Sequence, residues 1–121
     1  MMAFRETLKG LVDNAAGGQG AVIMGYDGIP IDEYIREDVS LDVQLLSVEY
    51  ATLLKEIKRT IDILKTGEME EISITTGLSR IIVRPVTQDF FVVLVLDKAG
   101  NFGKGRYLLK RDAPKLGEEL Q

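Results

Sequence analysis

Ser40-Leu-Asp-Val-Gln-Leu-Leu-Ser-Val-Glu-Tyr-Ala-Thr-Leu-Leu-Lys-Glu-Ile-Lys-Arg-Thr-Ile-Asp-Ile-Leu-Lys-Thr-Gly67 is the stretch that decides the fold. It has no interior Pro or Gly, and Val43, Leu46, Tyr50, Leu53, Leu54, Ile57, Ile61 and Leu64 recur at helical spacing. The spacing predicts one helix, roughly 36 Å long at 1.5 Å per residue. Ser40 is the expected N-cap, Asp42 complements the positive helix end, and Gly67 is the expected left-handed stop. At 100° per residue, Leu41, Leu45 and Val48 fall opposite the main stripe, with small Ser47 and Ala51 between the two. Scattered surface apolar residues would give the same pattern. The reading preferred here is a helix that buries a second face against another chain.

Working outward, Phe4, Leu8, Leu11, Val12 and Ala15 form a short helical stripe that ends near Gly17-Gly18. Gly20-Ala-Val-Ile-Met-Gly25 is almost continuously apolar, as a strand covered on both faces must be. Asp27-Gly28 predicts a primed hairpin turn into a strand over 29–36, where Pro30 and the acids Asp32, Glu33, Glu37 and Asp38 mark an edge. Beyond the long helix, strands are predicted over 70–76, 80–86 and 90–96, the last apolar throughout and so central. A glycine-rich loop, Asp97 to Gly103, leads to a last helix with Tyr107, Leu108, Leu116 and Leu120 as its apolar face and Pro114 bending or restarting it. Short turns make the neighbouring strands antiparallel.

At 121 residues, 45 % hydrophobic and 28 % charged, the chain reads as one domain, 1–121, with a core of its own. It contains no Cys and no His, which removes disulfides, thiolate chemistry, the commonest general base and the commonest transition-metal ligand. A formal charge of −4 disfavours nucleic acid as a partner. The start, Met1-Met-Ala-Phe-Arg-Glu-Thr-Leu8, turns amphipathic at once, so neither a signal peptide nor membrane insertion is expected, and the location is read as cytoplasmic.

Each candidate site has a plainer structural account. Gly103-Lys104-Gly105 invites a phosphate-loop reading, but Lys98 and Gly105 stand where that loop needs Gly and Ser or Thr. Gly17-Gly-Gln-Gly20 precedes a strand, not a helix N-terminus. The carboxylates Asp27, Asp32, Glu33, Glu37, Asp38 and Asp42 do not have calcium-loop spacing, and edge protection accounts for them. Lys104, Arg106, Lys110 and Arg111 make a locally basic helix face, either solvated or a weak contact for an acidic partner. No nucleophile–base pair is present, so the expectation is a binding module rather than an enzyme, with no catalytic residue, metal or cofactor. A small-ligand sensor would need a sizeable pocket, to which the dense Val, Ile and Leu content does not point.

The element order, the Tyr26-Asp-Gly-Ile-Pro-Ile31 hairpin, the long central helix and the Gly100-Asn-Phe-Gly-Lys-Gly-Arg106 entry to the last helix resemble the Roadblock/dynein light-chain family, most of all its bacterial MglB-like branch. The resemblance spans Phe4 to Leu120. It implies an α/β (α+β) fold: a five-stranded antiparallel sheet in the order 2-1-5-4-3, helix 2 on one face and helices 1 and 3 on the other. It also implies a homodimer, in which third strands pair through Ile72, Ser73, Ile74 and Thr75 and second helices meet along Gln44, Ser47, Val48, Ala51, Lys55 and Lys58. Leu41, Leu45, Val48, Thr52 and Arg59 would remain for a partner, a Ras-like small GTPase of the MglA type. The implied function is a non-enzymatic GTPase regulator, of the kind that serves cell polarity. The alternative is a structural adaptor of the dynein light-chain type with no effect on nucleotide turnover. Arg59 and Arg36 are the arginines that a finger mechanism would draw on.

Overall fold

The computed structural model describes residues 4–120. The amphipathic start read at Met1, Met2 and Ala3 lies outside them. The elements follow in the order α1 (Phe4–Asn14), β1 (Gly18–Gly25), β2 (Pro30–Ile35), α2 (Val43–Leu64), β3 (Ile72–Thr75), β4 (Ser79–Pro85), β5 (Phe90–Asp97) and α3 (Phe102–Glu119). Five antiparallel strands form one sheet in the order β2-β1-β5-β4-β3, as expected.

Two-residue alternation divides the apolar strands between two cores. Ala21, Ile23, Ile82, Val92, Leu94 and Leu96 point to one face, where Leu8 and Leu11 of α1 and Leu108, Leu109 and Leu116 of α3 cover them. Val22, Met24, Val83, Phe91, Val93 and Val95 point to the other, beneath Ala51 and Leu54 of α2. This is why β1 and β5 carry apolar residues at successive positions. A strand flanked by helices on both faces has no solvated side.

Several local details differ from the sequence reading. Asp42, not Ser40, caps α2: its backbone is extended (φ −82°, ψ 92°), so its carboxylate hangs over the first turn and accepts from Leu45 N at 3.1 Å. Lys65, not Gly67, closes the helix in the left-handed conformation (φ 56°), and its N–H donates to Ile61 O at 2.8 Å. Gly67 is also left-handed, but two residues later. In the β1–β2 connection only Gly28 has positive φ; its N–H donates to Gly25 O, and Gly25 N donates to Ile29 O. That is a turn closed by a left-handed glycine with the register shifting between Ile23 and Met24, rather than a two-residue primed turn. Pro114 neither bends nor restarts α3 enough to divide it. Tyr107 is 61 % exposed, because the buried stripe runs through Gly105, Leu108, Leu109, Asp112, Ala113 and Leu116 and leaves it to one side.

The two glycine-rich stretches explain each other. Gly17 is at φ +83°, and a Cβ there would lie 2.5 Å from Gly100 Cα. Asp97 N donates to Gly17 O at 2.9 Å and Asn101 N to Ala16 O at 2.8 Å. Backbone meets backbone at this junction, which locks the entry of β1 to the exit of β5.

Candidate functional site

Helix α2 lies on its own sheet through small residues. Ser47 is 0 % and Ala51 2 % exposed, and the Ser47 hydroxyl donates to Val43 O at 2.7 Å. Side chains with no remaining surface have none to offer another chain. The expected seam through Ser47 and Ala51 is therefore placed beneath the helix, where their size permits close approach to the chain's own strands. Gln44, Lys55 and Val48 are exposed. Lys58 is half-buried, its Nζ 4.0 Å from the centroid of the Tyr26 ring and donating to Gln88 O at 3.2 Å. Val48 stands by Gly28, where a Cβ would lie 3.7 Å from Val48 Cα. This flank faces the β1–β2 and β4–β5 turns.

The opposite flank is more apolar. Leu46, Tyr50 and Ile57 are half-buried and pack on the same cluster as Ile72 and Ile74 of β3. Leu53 is 41 % and Leu64 65 % exposed, and both lie within about 40° of Ile57 on the helix circumference. Sequence reasoning assigned these residues to the chain's own core. The apolar stripe on α2 is broader than one sheet face under a closely seated helix can cover. At the sheet margin, β3 pairs with β4 on one side only. Ser73 and Thr75 are exposed, while Ile72 and Ile74 are half-buried.

Of the expected partner surface, Leu45 (58 %) and Val48 (52 %) are exposed apolar residues on the outer side of α2. Thr52 is exposed with its hydroxyl donating to Val48 O. Leu41 packs on the core below. Ile29, next to Gly28 at the hairpin tip, is 63 % exposed and extends the patch; the sequence reading had it only as a hairpin residue. Arg59 is ion-paired to Glu56 at 3.1 Å. Arg36 donates to Gly18 O at 3.0 Å and pairs with Asp38 at 2.9 Å.

The acids read as edge protection have local duties: Asp27 accepts from Ile29 N, Asp32 pairs with Arg5, and Asp42 caps α2. On α3, Arg106 pairs with Glu71 at 2.8 Å, and Arg111 and Lys115 flank the buried Asp112 carboxylate. The bond to Asp112 pushes the Arg111 guanidinium further up. Burial raises the Tyr26 phenol to about 12, and its hydroxyl has no hydrogen-bond partner. Among the described residues, no group of three His, Cys, Asp or Glu side chains is placed to hold a metal ion. Among the described residues, no helix is long and apolar enough to cross a membrane. A cleft of about 410 Å³ opens beside the C-terminal third of α2, against the β4–β5 turn.

No protein-family model matches the sequence, and no curated protein matches it. Solved structures do. MglC from Myxococcus xanthus is 39 % identical over 98 % of this chain and 99 % of its own, with a TM-score of 0.72. MglB from Myxococcus xanthus superposes with a TM-score of 0.86 at 13 % identity, covering 96 % of this chain and 93 % of that one. A Roadblock/LC7 domain from Streptomyces avermitilis gives 0.85 at 11 % identity, with 97 % of each chain covered.

Proposed function

Because the chain belongs to the Roadblock/LC7 family, in its bacterial MglB-like branch, we propose that it is a cytoplasmic homodimer that binds and regulates a Ras-like small GTPase of the MglA type. It catalyses no reaction itself. In the dimer, β3 edges pair through Ile72, Ser73, Ile74 and Thr75, and α2 meets its twin along the Leu53, Ile57 and Leu64 flank. The open β3 edge and that uncovered apolar flank support this reading. The partner docks on the outer side of α2. The observation that carries the docking claim is the exposed pair Leu45 and Val48 at the start of a helix whose inner face is already filled.

Leu45→Glu and Val48→Glu place a charge on this patch without touching the core. Each is expected to weaken binding of the Ras-like GTPase encoded nearest to this chain at least tenfold, with an unchanged circular dichroism spectrum. Unchanged affinity in both variants contradicts the assigned patch. A hydrolysis assay then separates regulation from scaffolding. Arg59 and Arg36 are both held by their own chain, so acceleration arises from reshaping the GTPase's own loops rather than from an inserted arginine. That same restraint favours the second reading, an adaptor that leaves turnover unchanged while it binds.

A further inference from the structure

On the sheet face opposite α2, helix α3 lies over β4 and β5, and α1 over β1 and β2. Gly105 seats α3 closely: a Cβ on it would lie 3.1 Å from Ile82 Cδ1 and 3.2 Å from Leu96 Cδ1. β3, one strand further out, extends past that cover. Ile72 and Ile74 pack on the α2 side. Two-residue alternation therefore turns Ser73 and Thr75 to the α3 side, and both are exposed. A step runs along α3, with the helix as its wall and the polar face of β3 as its floor.

The wall carries one sign of charge. Between Gly103 and Lys115, every charged residue that α3 exposes is a cation: Lys104, Arg106, Lys110, Arg111 and Lys115. Asp112, the acid of that span, is buried. Carboxylates are outnumbered, since Arg84 and Arg106 share Glu71, and Arg111 and Lys115 share Asp112. Among the described residues, Lys104 and Lys110 have no such partner. In a chain of formal charge −4, this is a concentrated positive field.

Gly103, Arg106, Tyr107 and Lys110 stand at i, i+3, i+4 and i+7, so they share one flank of the helix. With Glu71, which directly precedes β3, they line a depression of about 220 Å³. Arg106 is held in place there. Its Nε donates to Glu71 at 2.8 Å, and its guanidinium lies 5.8 Å from the centroid of the Phe102 ring. The exposed Tyr107 adds an aromatic surface beside the two cations.

We propose that this step is a docking site for an acidic segment of a partner protein, whose carboxylates meet Arg106 and Lys110 and whose apolar side chain rests on Tyr107. Charge complementarity identifies the occupant's chemistry. A recessed trough with one exposed ring fits a peptide; a flat anionic bilayer reaches the crest of α3 but not Ser73 and Thr75. The step is on the opposite sheet face from Leu45 and Val48, so it does not depend on the GTPase reading. Both faces can be filled at once, which makes the chain a bridge between two partners.

The probe is a fluorescein-labelled glutamate-rich peptide with one central leucine, titrated against the full chain by fluorescence anisotropy. A peptide with serine for that leucine and phosphatidylserine vesicles are measured beside it. The wild type is expected to bind the leucine peptide, and more weakly as salt is added. Lys110→Glu is expected to raise Kd at least tenfold with an unchanged circular dichroism spectrum. Lys55→Glu, the same charge change at an exposed site on α2, is expected to leave Kd unaltered. Tyr107→Ser is expected to weaken the leucine peptide severalfold and to leave the serine peptide unchanged, which diffuse attraction to a basic surface cannot produce. Leu45→Glu, the variant aimed at the GTPase patch, is expected to bind the peptide as the wild type does, so the two readings fail separately. No binding by the wild type, equal binding by Lys110→Glu, an equal effect of Tyr107→Ser on both peptides, or binding of vesicles without peptide overturns the inference.

Discussion

Tyr26 has its ring against Phe91, centroids 4.8 Å apart, and the Lys58 ammonium over its outer face, yet its hydroxyl lacks a partner. Burial moves the phenol from its ordinary value of 10.0 to about 12. Between those two pH values the unfolded chain releases a proton that the folded chain keeps. The stability from this group is therefore whole below the ordinary value and is lost as pH rises through the folded one. Tyr26→Phe removes the titration and an unpaired buried hydroxyl together. Denaturant midpoints measured from pH 8 upward are expected to fall less steeply for the variant, with no loss of stability at neutral pH. A variant that is destabilised at neutral pH and loses stability as steeply as the wild type contradicts this account. None of it was legible in the sequence, where Tyr26 was only the start of a hairpin signal. Its burial depends on α2 crossing above it.

Helix α2 shows where pattern reading stops. Its existence followed from apolar spacing, and the two-faced cover of β1 and β5 followed from their continuous apolar runs. The strand order came with the family resemblance. The rotation of α2 about its own axis did not follow, because Ser47 and Ala51 admit two solutions of equal pattern: close approach to the chain's own sheet, or to a neighbouring helix. The first holds, and it turns Leu53 and Leu64 outward. Tyr107 failed for a similar reason, since its neighbours Leu108 and Leu109 fill the stripe under α3. The rotation of α2 has a measurable consequence. Leu54 is fully buried, so Leu54→Ala is expected to cost about 2–5 kcal/mol at any protein concentration. Leu53→Ala is expected to cost little in the isolated fold and to weaken the dimer, so its loss in melting temperature should grow on dilution relative to wild type. A Leu53→Ala effect that does not vary with concentration contradicts the α2 seam.

The whole molecule has two sheet margins, and they are unlike. β2 carries Pro30, Asp32 and Glu33, residues that blunt an edge against pairing. β3 is Ile-Ser-Ile-Thr, uncharged, with its outward backbone groups free on one side, and α2 carries an uncovered apolar flank at Leu53 and Leu64. Association at β3 alone gives a closed two-fold dimer, whereas association at both edges would give an open-ended sheet. The function proposed above is that of a molecule that acts by contact, through the exposed apolar surface on α2. That account stands on two copies meeting through β3. The most direct measurement is the mass in solution by light scattering at micromolar concentration. The account predicts twice the 13.4 kDa chain mass; a particle of single-chain mass would contradict it.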